Sequence, residues 1–138
     1  MIRSVLAILG GLVVIIVTSF GIEAAANPLL MHMFPAALPN EAAMSNNPMV
    51  RLFTLAYTLL CVVAGGYFSA RLARRSAVLH ALSLGLLQSA LTIPAMLAFM
   101  DKSPLWGWIA GLVLVIPAAW IGGLIYSRRS GTPVGALA

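Results

Sequence analysis

Between Cys61 and Gln88, two apolar runs flank a knot of three arginines. The stretch reads CVVAGGYFSARLARRSAVLHALSLGLLQ, with Arg71, Arg74 and Arg75 at its centre. Extended upstream and downstream, each run is long enough to cross a bilayer and carries few charges. The pair predicts a transmembrane hairpin whose basic turn faces the cytoplasm. Composition points the same way. Of 138 residues, 62% are hydrophobic and 8% are charged, against roughly 25% charged in soluble domains. A soluble fold of this length could not bury so much apolar surface. The formal net charge of +5 reads as membrane orientation rather than nucleic-acid binding, because the cations sit at the ends of apolar runs.

The pattern predicts an all-α integral membrane fold, four transmembrane helices in an up-down bundle, as one domain over residues 1–138. Spans are expected at 2–26, 49–71, 77–100 and 105–126. Residues 27–48 then form an outer loop and 127–138 a cytoplasmic tail that frays. Ala24-Ala25-Ala26 behind Met1-Ile2-Arg3 also admits a signal-peptidase site. Its apolar stretch of about 18 residues exceeds the usual ~7–15-residue signal core, so a retained first span is expected. Pro28, Pro35, Pro39 and Pro48, with Asn40, Asn46 and Asn47, give the loop its turn character. Within it, Pro28 to Phe34 is too apolar for a free loop and is expected in the headgroup region or folded back on the helices. Ser76 is the expected N-cap of the third span. Ser103 and Pro104 are the expected N-cap and N1 pair of the fourth. Pro94 and Pro117 should bend their helices.

Arg51 and Arg71 lie twenty residues apart, about 30 Å at helical rise, so each can reach an opposite interface. With the N-terminus inside, Arg3, Arg71, Arg74, Arg75, Arg128 and Arg129 are cytoplasmic, and only Arg51 and Lys102 are outside. That bias predicts cytoplasmic termini. Trp106 and Trp108 mark the outer interface and Tyr126 the inner one. Small residues recur every fourth position: Cys61, Gly65 and Ser69; Ala81, Gly85 and Ser89; Gly107 and Gly111; Ala118 and Gly122; Ala119 and Gly123. Such spacing lets helix backbones approach closely, within a chain or between copies.

Catalytic motifs are lacking. The acids are Glu23, Glu41 and Asp101, and the histidines His32 and His80 fall on opposite sides of the expected membrane. No HExxH, Walker loop, nucleophile elbow or CxxC occurs. His80 reads as an interfacial residue and Cys61 as a small packing residue. Met31-His32-Met33, with Met44 and Met49 nearby, has ligand types suited to Cu(I). Without a second His or Cys it reads as apolar methionines beside an interfacial histidine. No metal or cofactor is expected, and no enzyme. Three residues are candidate binding groups: Glu23, Arg51 and Gln88. Glu23 and Arg51 are expected to pair at the outer rim. Gln88 is expected to hydrogen-bond across helices, or to line a path for a polar substrate.

The pattern from Gly65 to Arg75, running into His80-Ala81-Leu82-Ser83-Leu84-Gly85, resembles a recurring type of small four-helix bacterial membrane protein. The resemblance covers most of the chain and implies a bacterial inner-membrane location, with no activity to transfer. Four helices with a glutamate in the first also invite comparison with the small multidrug resistance transporters. That family's first-helix glutamate sits mid-membrane, whereas Glu23 follows a full span. The third span here contains Phe99 as its lone aromatic residue. The expected role is a structural or accessory membrane protein that works on a partner in the bilayer. The alternative is a small transporter or channel acting as a homo-oligomer. A tightly packed interior suits the first; a continuous polar path through Gln88 and a rim charge suits the second.

Overall fold

The computed structural model describes residues 2–73, 76–99, 101 and 104–131, with Ile2 and Arg3 as backbone only. The described residues form five helices and no strand: α1 Ile2–Met33, α2 Glu41–Asn46, α3 Pro48–Ala73, α4 Ala77–Phe99 and α5 Leu105–Ser130. Four of them, all but α2, are long and apolar enough to cross a membrane. Arg74, Arg75, Met100, Lys102, Ser103 and the tail from Thr132 onward, all used in the expectations above, lie outside the described residues.

The first helix departs most from expectation. It does not end at Ala26 but continues through Pro28 to Met33, 32 residues in all. Pro28 lacks the N–H that would bond the Ala24 carbonyl. The residues after it are Leu, Leu, Met, His and Met, mostly good helix formers, so propagation resumes beyond the lost bond. Phe34 still donates to the Leu30 carbonyl at 3.0 Å. The helix stops where Pro35 bars Phe34 from helical backbone. The connection is therefore only a short turn plus α2, not a 22-residue loop. In that turn the Leu38 amide bonds the Phe34 carbonyl at 2.9 Å, and the Leu38 side chain is buried. Asn40 caps α2 by accepting from the Ala43 amide at 2.8 Å. Asn47 ends α2 and begins α3: its amide donates to Met44 O, and its Oδ1 accepts from Met49 N at 3.0 Å. Pro48 then occupies the first helical position, where no N–H is missed.

Two other boundaries shift. Pro104, not Ser103, is the residue before α5, with extended backbone and no side-chain cap. At the other end α5 runs to Ser130, so Arg128 and Arg129 lie in its last turn against the negative end of the helix dipole. Gly131, at φ 64°, closes it in the left-handed conformation that glycine adopts without strain. Ser76 precedes α4 and its carbonyl accepts the His80 amide, but its φ of 52° is left-handed rather than the extended backbone usual for a capping serine. Pro94 and Pro117 are both accommodated inside helices.

Helix α3 touches α1, α4 and α5, and α4 and α5 touch each other. The core they share is Ile15, Val62, Leu84, Val115, Ala118 and Ala119. Buried positions are otherwise mostly small, including Ala7, Cys61, Ser69, Ala70, Ala81 and Ser127. The large side chains point away: Phe20 and Leu60 are 69% exposed and Val113 64%. Adjacent glycines serve two neighbours each. Gly65 sits against Gly11 and Ile15 of α1, while Gly66 sits against Ala119 of α5. Gly122 meets Val63 and Tyr67 of α3, while Gly123 meets Ala81 and Val78 of α4. A Cβ at Gly66 would lie 2.5 Å from the Ala119 carbonyl oxygen. The small residues at Gly65, Gly85, Gly122 and Gly123 are thus used in contacts within the chain.

Candidate functional site

The glycine contacts join the helices from their middle toward the α3–α4 turn. Toward the opposite end, where α1 stops and α3 begins, polar residues accumulate. Along α3, Arg51, Thr54 and Thr58 recur at helical spacing; along α4, Gln88 and Thr92 do the same. With Glu23 of α1 and Gly107, Trp108 and Gly111 of α5, they line a cavity of about 260 Å³. All three sequence candidates, Glu23, Arg51 and Gln88, face this one space.

The expected Glu23–Arg51 ion pair is not formed. The Tyr57 hydroxyl donates to Glu23 Oε1 at 2.9 Å, tying α3 to α1. Arg51 instead lies over the Trp108 ring, with Cζ 5.3 Å from the ring centroid. Such a stack is attractive because the ring face carries negative charge density. Gly107 makes room for it, since a Cβ there would lie 2.6 Å from Arg51 Nε. Each charge thus has its own aromatic partner, and the two face the cavity separately.

Gln88 also departs from expectation. Among the described residues its amide takes no cross-helix hydrogen bond. Thr92 donates to the Gln88 backbone carbonyl at 2.8 Å, so that hydroxyl is used within α4. The amide is left as cavity lining. The Trp108 Nε1 is buried without a hydrogen-bond partner. Gly107 and Gly111 do not close a helix contact; a Cβ at Gly111 would meet nothing within 4 Å. Reading the residues one by one missed Tyr57, Thr54, Thr58 and Trp108 as site residues. The polar stripe at 51, 54 and 58 was the signal for two of them.

A second cavity of about 140 Å³ adjoins the first, sharing Glu23, Arg51 and Thr54 and adding Asn27, Ser45 and Tyr57. A third, of about 470 Å³, is bounded by Leu30, Phe34, Leu38, Met49 and Phe53 and shares Val50 with the second. Elsewhere, His80 is half-buried with Nδ1 3.0 Å from the Ser76 carbonyl oxygen. Met31 to Met33 form the last turn of α1, with His32 and Met33 facing outward. No family model, curated protein or solved structure matches the chain.

Proposed function

We propose that the chain is a multi-pass membrane protein, four helices alternating up and down, that binds the polar group of a ligand in a cleft open to the outer side and closed toward the cytoplasm. The reading rests on one observation: Glu23, Arg51 and Gln88, distant in sequence, line a common cavity that runs from mid-helix toward one end, beyond the level at which glycines bring the helix backbones together. The order of contacts supports alternating directions, with Gly11 near Gly65 and Glu23 near Tyr57. Apolar side chains on the outward faces support insertion, since no polar surface covers them. The cation bias supports cytoplasmic termini, in the inner membrane of a bacterium. Binding without passage makes this an accessory protein rather than a channel.

The test is access from either side. In a Cys61→Ser background, a membrane-impermeant thiol reagent should label Thr58→Cys and Gln88→Cys when added outside intact cells. It should not label them from the cytoplasmic face of inverted vesicles. Labelling from both faces would favour the transporter reading. Labelling from neither would remove the cleft.

A further inference from the structure

We infer that the cleft holds a zwitterionic amphiphile: a headgroup with a primary ammonium and a phosphate or carboxylate, carrying an apolar chain. The inference rests on the outward cleft proposed above and names what occupies it.

Three observations carry it. First, Arg51 and Glu23 present opposite charges to one space without joining each other. A lone charge at the edge of hydrocarbon is costly. A ligand bearing both counter-charges compensates both side chains together, whereas a simple anion or cation serves one and is repelled by the other. Second, groups for both ends of such a headgroup border that space. The Arg51 guanidinium and the Gln88 side-chain amide can donate to an acidic group. The Glu23 carboxylate, of which Tyr57 engages one oxygen, can accept from an ammonium, with Asn27 and Ser45 beside it in the adjoining cavity. An ammonium can donate to these; a quaternary amine cannot. Third, the polar space borders, across Val50, the apolar cavity of Leu30, Phe34, Leu38 and Phe53. At about 470 Å³ that cavity is of ligand size, and it gives the chain of an amphiphile a place beside its headgroup.

The full-length protein in a non-ionic detergent, titrated by native mass spectrometry, tests this with four probes: lysophosphatidylethanolamine, lysophosphatidylcholine, lysophosphatidylglycerol and free phosphoethanolamine. Lysophosphatidylethanolamine should bind at least about tenfold tighter than the other three, the scale of one hydrogen bond to a charged group. Arg51→Gln should weaken it by a similar factor. Glu23→Gln should weaken it too, yet strengthen lysophosphatidylglycerol, a gain that misfolding cannot produce. Equal binding of all three lipids, unchanged in both variants, would overturn the assignment. Free phosphoethanolamine binding as tightly as the lysolipid would overturn the role of the apolar cavity and leave a soluble zwitterion as the ligand. If Gln88→Cys is labelled from outside but no probe is preferred, the ligand is wrong and the cleft stands. If Gln88→Cys is not labelled at all, the cleft itself is wrong.

Discussion

Tyr57 of α3 donates its hydroxyl to Glu23 of α1 at 2.9 Å, and this bond occupies the place where a Glu23–Arg51 ion pair was expected. The tyrosine is buried and the carboxylate only half so, which puts the bond at the edge of the smaller polar cavity. Its value comes from position: it joins the first and third helices at the end where glycine contacts are lacking.

Tyr57→Phe should therefore lower thermal stability in detergent by about 1.5–3 kcal/mol, the range for a hydrogen bond to a charged group. A double-mutant cycle of Tyr57→Phe with Glu23→Gln should give a coupling of about 0.5 kcal/mol or more. The same cycle with Arg51→Gln in place of Tyr57→Phe should be additive within about 0.5 kcal/mol. Strong Glu23–Arg51 coupling with none to Tyr57 would reverse this assignment.

The glycine contacts differ in what they can yield. A Cβ at Gly66 would strike the Ala119 backbone, and one at Gly122 would strike the Val63 carbonyl. Neither neighbour can rotate away, so Gly66→Ala and Gly122→Ala should each cost about 1–3 kcal/mol. Gly21 is the control. Nothing lies within 4 Å of its would-be Cβ, and Gly21→Ala should stabilise by roughly 0.5–1 kcal/mol through helix propensity. Chemical denaturation of the three variants in one detergent checks the order.

Gln88→Leu separates lining from glue. No hydrogen bond is lost with the amide, so stability should stay within about 0.5 kcal/mol or rise. A drop above about 1 kcal/mol would mean that Gln88 bonds across helices after all.

Orientation is checked by thiol labelling in the Cys61→Ser background. Ala42→Cys, exposed in α2, should react from outside. Arg74→Cys and Ser130→Cys should react only once the membrane is opened. Outside labelling at position 74 would invert the assignment of inner and outer faces.

Helix identity was legible because apolar length and terminal cations are local properties. Helix boundaries were less so. Pro28 looked like a loop residue, yet α1 runs past it because the five residues beyond it can resume the helix. Asn47 and Pro48 were read as loop residues, and they form the joint between α2 and α3.

Glu23, Arg51 and Gln88 could be picked from the sequence because charge and amides are rare in such runs. Their partners could not. These helices are apolar on every side, so periodicity does not say which face turns inward. Cys61 and Gly65 revealed one inward face by their size, but Gly66, one residue on, turns to a different helix. The chain's own order determined that four apolar helices form, roughly where they lie, and which polar residues must be explained. The tertiary structure decided that Glu23 meets Tyr57, that Arg51 meets Trp108, and that both face one cavity with Gln88. Those pairings depend on how far each helix is rotated about its axis. That rotation is set by where small residues allow backbones to touch, a property of two surfaces together and of neither alone.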